Sequence, residues 1–246
     1  MSITPQEIHD VARLVYQLCG IVLDETKGYL IENRLGPVAT AADCKNFDEM
    51  TKKAATPNGL LLRGAIVDAI TTNETSFFRD ASAYEALRNR VVPDLIDAKE
   101  KTPFPRRLRI WSAASSTGQE PYSIAMTLHQ LIPDIHTWDV SILGTDICST
   151  ALKQASSGCY DSSELQRGIP DTLRDRYFTQ SDQNWKIRDP IRSLVSFQKL
   201  NLLEPFGLMG PFDVIFCSNV AIYFSDSDRA NLFERIVRVL TPNGCL

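Results

Sequence analysis

The 246-residue sequence has no run of about 18 consecutive apolar residues and no surplus of basic charge. A membrane-spanning helix requires an apolar run of that length, so the sequence predicts none. Residues 1–7 show no basic stretch followed by an apolar one, as a secretory signal peptide would. There are 26 Lys and Arg residues against 30 Asp and Glu residues, and the resulting net charge of −4 argues against a nucleic-acid-binding protein. We therefore expect a cytoplasmic protein with no nucleic-acid partner and no direct membrane insertion.

The sequence also lacks paired cysteines and the glycine-rich motifs that bind phosphates. None of its six cysteines forms a C-x-x-C pair, so we expect no zinc or other metal site, and we expect the thiols to be reduced and mostly buried. Neither G-x-G-x-x-G nor G-x-x-x-x-G-K-[ST] occurs, which disfavours a dinucleotide or triphosphate site. The cysteines are Cys19, Cys44, Cys148, Cys159, Cys217 and Cys245.

The composition, with 43% hydrophobic and 23% charged residues, is that of an ordinary folded protein. The amino-terminal part has only helical patterns. Thr4 and Glu7 form a capping box around Pro5. Helices are predicted from Pro5 to Gly20, from Asp24 to Gly36-Pro37, from Phe47 to Ala54 and from Gly59 to Ile70. Residues 1–72 should therefore form an all-α domain, followed at 73–107 by a helical linker with a helix over Ala81–Lys99 and a Pro-rich connector at 101–107.

From residue 108 the pattern changes to alternating strands and helices, which predicts a parallel sheet with both faces covered. Strands are expected at 108–111, 138–143, 194–200 and 212–217, and helices at 121–132, 150–156 and 226–240. Residues 158–193 break this alternation and are interpreted as an insertion with a short helix at 171–177 and a hairpin near 185–187. The sequence ends at 241–246 where a turn should lead into another strand, so the α/β domain at 108–246 is expected to be cut short.

Two polar segments follow the first two strands. Between Trp111 and Pro121 a loop of tiny residues precedes a helix, and tiny residues let a ligand approach the backbone. Glu120 in this segment suits a cation or hydroxyl donors better than a phosphate. Asp146 ends the second strand, where a carboxylate typically takes ribose hydroxyls. The structural alternatives are a helix-capping turn for the loop and a cap for the residues near Cys148 for Asp146.

Three further segments are candidates for the same sheet edge. Asn201 and the backbone amide of Leu202 follow the third strand and suit an adenine edge, although a turn is the simpler interpretation. The fourth strand delivers Ser218, Asn219 and Tyr223, and Tyr223 is either a substrate-orienting or a core tyrosine. Residues 71–80, TTNETSFFRD, suit a cleft at a domain boundary, with a capped helix start as the alternative.

These segments, in this order, resemble the CheR family of chemotaxis receptor methyltransferases. The resemblance runs from about residue 5 to the end and rests on TTNETSFFRD (71–80), RIWSAASSTGQEPYSIAM (109–126), GTDI (144–147), ALKQASSGCYDSSEL (151–165), RYF (176–178), NLLEPF (201–206) and FCSNVAIYF (216–224). It implies a helical N-terminal domain, a Rossmann-like methyltransferase domain and an inserted antiparallel β-subdomain. It also implies S-adenosylmethionine as methyl donor, S-adenosylhomocysteine as product, and glutamate methyl ester formation on the cytoplasmic region of membrane chemoreceptors.

The resemblance also implies site residues. Arg79 and Tyr223 match positions that help to arrange the reaction. The cofactor-binding positions are Asn73, Thr75, Arg79, Glu120, Asp146, Asn201, Leu202, Ser218 and Asn219.

The sequence departs from the family pattern in several places. Ser218 stands where the family usually has Arg, Ala221 replaces a larger residue and Gln119 replaces a common Glu. The second helix, at 24–35, is nearly neutral where the family has a basic receptor-facing surface. Residues 179–185 contain no glycine, so we expect no anchoring to a receptor-tail peptide, and a peptide titration showing micromolar binding would contradict this. Two alternatives stay open, a methyltransferase of a non-chemotactic signalling system and a cofactor-binding module with weak catalysis.

Overall fold

The computed structural model describes residues 2–101 and 106–246. Of the predicted Pro-rich connector, residues 102–105 lie outside the described residues. Within the described ranges, no helix combines the length and apolar character needed to cross a membrane.

Four helices form the first unit, here called the helical unit: α1 (Pro5–Cys19), α2 (Gly28–Ala41), α3 (Phe47–Ala55) and α4 (Leu60–Ile70). Thr4 and Glu7 form the predicted capping box at the start of α1, and Gly20 ends this helix in the left-handed conformation with φ 75°. The buried faces of the four helices share one core, built around Val11, Ile31 and Phe47.

The predicted end of the second helix at Gly36-Pro37 is wrong, because α2 continues through Pro37 to Ala41. An interior proline costs a helix about 3 kcal/mol. Leu35, Gly36 and Ala39 are buried on the face that packs in the helical unit, and this packing outweighs the cost of the proline. No sequence pattern local to Pro37 reports that tertiary contact.

The remaining elements form the α/β unit and its connection. Helical residues Ala81–Ala86 (α5) and Val92–Glu100 (α6) flank a wider π-helical turn at Leu87–Val91. Five strands, β1 (Arg107–Ala113), β2 (Asp139–Asp146), β6 (Val195–Lys199), β7 (Phe212–Phe216) and β8 (Leu240–Cys245), form a parallel sheet in the order β6-β2-β1-β7-β8. Its helices are α7 (Gln119–Leu131), α8 (Ser149–Ser157) and α12 (Asp226–Arg238).

Between α8 and β6 lies the insertion that the sequence predicted. Three short strands, β3 (Cys159–Asp161), β4 (Phe178–Ser181) and β5 (Asn184–Ile187), pair antiparallel in the order β3-β5-β4. The short helices α9 (Ser162–Gln166), α10 (Asp171–Tyr177) and α11 (Asp189–Arg192) accompany them. The fold class predicted from the sequence is confirmed: an all-α part precedes a Rossmann-like parallel sheet with a small antiparallel insertion.

The expected turn at residues 241–244 is wrong, because these residues belong to β8. Leu240 pairs with Phe212 and Cys245 with Val214, and the register shifts between these pairs. The strand is therefore bulged, and the bulge accommodates Pro242 and Gly244, residues that local sequence rules assign to a turn.

The order of the strands reverses at β1, which has β2 on one side and β7 on the other. In open α/β sheets, ligands bind outside the carboxyl ends of the strands at such a switch point. The helical unit lies against this edge: the Asn201 side-chain amide donates to the Leu18 carbonyl at 3.1 Å, and the Val22 amide donates to the Tyr223 carbonyl at 3.1 Å.

Candidate active site

A cleft opens at the switch point, between the carboxyl edge of the sheet and the helical unit. All ten residues that the sequence singled out line this cleft. They come from five separate segments: Asn73, Thr75 and Arg79, then Glu120, then Asp146, then Asn201 and Leu202, and then Ser218, Asn219 and Tyr223.

The loop after β1 brings backbone to the wall of the cleft. Ala114 and Ser116 have positive φ angles of 59° and 50°, and Gly118 has φ 95°. The Ser115 amide donates to the Thr145 carbonyl at 2.8 Å, which ties the loop to β2. Ser115 is only 1% exposed, and its hydroxyl has no hydrogen-bond partner among the described residues. A buried hydroxyl without a partner is costly, so the fold carries an unfavourable group in the loop that lines the cleft.

Glu120 lies in the first turn of α7 and faces β1. Its Oε1 accepts a hydrogen bond from the Ser112 hydroxyl at 2.7 Å. Burial raises the pKa of Glu120 to about 7, while the hydroxyls of Ser112 and Ser218 and the charge of Arg79 act in the opposite direction. The carboxyl therefore changes charge near neutral pH, and a cation bound beside it would hold it ionised.

Asp146 ends β2 and is 7% exposed. Its Oδ2 accepts from the Ser116 amide and its Oδ1 from the Cys148 amide, both at 2.8 Å. Burial raises the pKa of Asp146, and these backbone hydrogen bonds oppose the shift. The side chain thus makes the local contact to Cys148 that the structural alternative required, and it also lines the cleft. A carboxylate oxygen accepts more than one hydrogen bond, so both roles are compatible.

Asn201 uses its side chain within the protein. Its amide group donates to the Leu18 carbonyl, and its Oδ1 accepts from the Leu203 amide at 3.1 Å. The bond to Leu18 ties the loop after β6 to the end of α1. Because the Asn201 side chain makes these hydrogen bonds within the protein, the backbone at Asn201 and Leu202 is left to contact the edge of a nucleobase.

After β7, the chain turns sharply through Asn219, which has φ 56°. Ser218 faces the carboxyl of Glu120 across the cleft and acts to lower the pKa of that carboxyl. Tyr223 lies at the rim of the cleft with 37% of its surface exposed. This segment therefore supplies one hydroxyl at the floor of the cleft and one at its mouth.

Residues 71–80 cross the cleft as non-helical chain between α4 and α5. Asn73 donates to Cys148 Sγ at 3.3 Å, and its carbonyl accepts from the Ser116 hydroxyl at 2.9 Å. Phe77 is fully buried, and the Phe78 amide donates to the Ser123 hydroxyl at 3.1 Å. These contacts anchor the segment and leave Arg79 exposed on the cleft wall, where it donates to the Glu74 carbonyl at 2.8 Å.

Sequence reasoning missed several residues of the cleft. Cys19 and Ile21 bring the end of α1 into its wall, and Ser115 and Ser116 bring hydroxyls from the loop after β1. Both hydroxyls lie inside the segment 109–126, so the sequence could have indicated them. Cys19 and Ile21 gave no signal, because their place depends on how the helical unit meets the sheet.

Comparison with known proteins agrees with this geometry. Residues 73–246 match the family model described as "CheR methyltransferase, SAM binding domain", and residues 6–57 match "CheR methyltransferase, all-alpha domain". The chain is 38% identical over 254 residues to Chemotaxis protein methyltransferase 1 of Vibrio cholerae, covering 100% of this chain and 88% of that protein. It is 40% identical over 233 residues to Chemotaxis protein methyltransferase 1 of Pseudomonas aeruginosa, covering 93% of this chain and 83% of that protein.

The residues of the cleft fit S-adenosylmethionine, the cofactor named for this domain. A carboxylate at Asp146 suits ribose hydroxyls, and the acidic Glu120 suits a molecule with cationic groups. The tight backbone of residues 114–118 passes next to both carboxylates, and the Ser116 amide donates to Asp146. The two family models and the relatives that match along the chain show that it belongs to the CheR methyltransferase family.

Proposed function

We propose that this chain methylates glutamate side chains in the cytoplasmic region of membrane chemoreceptors, forming glutamate methyl esters. The observation that carries the proposal is the cleft itself, which collects ten residues from five segments at one edge of the sheet. The names of the relatives from Vibrio cholerae and Pseudomonas aeruginosa support a role in chemotaxis.

The proposed cofactor-binding residues contact different parts of the cofactor. Asp146 takes the ribose, the backbone at Asn201 and Leu202 takes the base, and Glu120 lies near the charged end. Asn73, Thr75, Ser218 and Asn219 complete the walls. When bound, S-adenosylmethionine supplies a methyl group on a sulfonium cation.

Arg79 and Tyr223 are proposed to position the acceptor. Arg79 is exposed on the cleft wall, where a guanidinium group can pair with a carboxylate, and Tyr223 presents a hydroxyl at the rim. A glutamate side chain is already ionised near neutral pH, so the protein need not supply a strong base. Its contribution is to orient the carboxylate and to remove water from around it.

The test is transfer of radiolabelled methyl groups to chemoreceptor-containing membranes. We expect base-labile label on the receptor, because carboxyl esters hydrolyse in base, and we expect Tyr223→Phe to lower the transfer rate about tenfold or more with little change in S-adenosylhomocysteine affinity. Tyr177→Phe, which removes a hydroxyl that contacts His129 Nδ1 at 3.3 Å outside the cleft, is the matched control.

Each other result contradicts the proposal. Base-stable label would mean that the acceptor is not a carboxylate. Label that reaches another protein but not the receptor would favour a non-chemotactic system. Cofactor binding without transfer would favour the weakly catalytic module. Receptor-tail anchoring is proposed to be absent, as the glycine-free turn between β4 and β5 suggests.

A further inference from the structure

Helix α8 follows Asp146 by two residues and begins with a poor cap. Its N-cap residue is Cys148, whose sulfur accepts from the Ala151 amide at 3.5 Å. Ser, Thr, Asp and Asn are the residues that satisfy the free amides at a helix start, and a thiol is a weak acceptor. The segment that carries Asp146 therefore leads into a helix without a strong cap of its own.

Asp68 of α4, in the helical unit, supplies the missing acceptor. Its Oδ1 accepts from the Ser149 amide at 2.8 Å, and its Oδ2 accepts from the Thr150 amide at 3.2 Å and from the Thr150 hydroxyl at 2.8 Å. These are the first two amides of α8. A negative charge at a helix start is also favourable because of the helix dipole.

The contact is coupled to the cleft through one short stretch of backbone. Ser149 and Thr150 are held by Asp68, and the preceding Cys148 amide is held by Asp146 Oδ1 at 2.8 Å. The Cys148 sulfur in turn accepts from Asn73, another cleft residue. The position of the Asp146 carboxylate therefore depends on a backbone that Asp68 fixes from the opposite unit.

We propose that Asp68 is a positioning residue for the cofactor: it caps α8 from the helical unit and so aligns Asp146 toward the ribose hydroxyls. This inference rests on the proposed ribose-binding role of Asp146. It means that the helical unit prepares the cofactor site, in addition to any part it takes in receiving the substrate.

Calorimetry on the full chain tests the proposal, with S-adenosylhomocysteine and its 2′-deoxyribose analogue as probes. Asp68→Ala, which leaves no side-chain acceptor for these amides, should weaken S-adenosylhomocysteine binding about fivefold, the effect of losing a typical helix cap, and should weaken the analogue less than about twofold. The matched control is Asn46→Ala, which removes the side-chain cap that accepts from Glu49 at the start of α3 in the same unit. It should leave both affinities unchanged.

A rescue variant separates capping from a general loss of structure. Cys148→Ser places a good capping residue at the start of α8, so adding it to Asp68→Ala should restore most of the lost affinity. An unchanged affinity in Asp68→Ala, an equal loss for both probes, or no rescue by Cys148→Ser would each overturn the proposal. Since these are binding measurements, they stand even if methyl transfer to receptors is not found.

Discussion

At the scale of single residues, Glu120 is the cleft group whose charge is set most clearly by its surroundings. Burial raises its pKa from 4.5 to about 7, so the folded protein holds this proton more tightly than the unfolded chain does. Well below pH 4.5 the Glu120 carboxyl is protonated in both the folded and the unfolded state, so it does not lower the free energy of unfolding. As the pH rises toward 7, only the unfolded chain releases the proton freely, and stability is lost.

The resulting prediction concerns the free energy of unfolding of the ligand-free protein. Between pH 4.5 and 7.5, Glu120→Gln should gain about 2–3 kcal/mol of stability relative to the original chain, because glutamine has no charge to bury. Urea unfolding at several pH values measures the difference. Glu74→Gln, at an exposed residue of the same cleft, is the matched control. If the gain in unfolding free energy for Glu120→Gln stayed constant across this pH range, burial of the carboxylate charge would not be its cause.

The residues of the cleft were predictable to the extent that they follow strands. Glu120, Asp146 and Asn219 occupy the ends of parallel strands or the helices that begin there, and such ends meet at one edge of the sheet. Asp68 was not predictable, because its partners are 81 and 82 residues away along the chain. The engagement of the Asn201 side chain with Leu18 was hidden for the same reason.

At the scale of elements, the loop after β6 is held from two sides. Asn201 ties it to α1, and Arg235 of α12 holds it from the other side. The guanidinium group of Arg235 donates to the Leu202 carbonyl at 2.7 Å and to the Glu204 carbonyl at 2.6 Å, and it lies 5.1 Å from the Phe206 ring centre. One side chain therefore fixes the backbone proposed to contact the base.

We expect Arg235→Lys to weaken S-adenosylhomocysteine binding by roughly 1–2 kcal/mol, because lysine cannot donate to both carbonyls as the planar guanidinium group does. The loss should be smaller for S-inosylhomocysteine, which lacks the adenine amino group. Arg238→Lys, on the same helix and in an exposed ion pair with Glu234 at 4.0 Å, is the matched control. Equal losses for the two ligands would mean that Arg235 does not act through recognition of the base.

Elements were predicted well where local signals and packing agree, as at α1, where a capping box and a terminal glycine bound the helix. They were predicted poorly where packing overrides a local signal. Pro37 inside α2 and Pro242 inside β8 are both residues that normally end an element. In each case neighbouring elements keep the segment in place, and only the folded structure shows those neighbours.

At the scale of the whole molecule, contacts spread over the boundary connect the helical unit to the sheet. Asn201 bonds Leu18, Val22 bonds Tyr223, and the Tyr16 hydroxyl donates to Asp228 at 2.7 Å. The Asp68 carboxylate adds the cap of α8. These contacts involve α1, α4, α8, α12 and the loops around the cleft, so loosening the helical unit would disturb several walls of the site together.

We therefore expect the helical unit and the α/β unit to unfold in one cooperative transition. Trp111, Trp138 and Trp185 all lie outside the helical unit, so their fluorescence reports on the α/β unit, while far-ultraviolet circular dichroism also reports on α1–α4. The two signals should share one urea midpoint. S-Adenosylhomocysteine at a hundred times its dissociation constant should raise the unfolding free energy by about 2.7 kcal/mol in both signals. A loss of helicity at lower urea than the fluorescence change, or a ligand effect on fluorescence alone, would mean that the helical unit does not share in building the cofactor site.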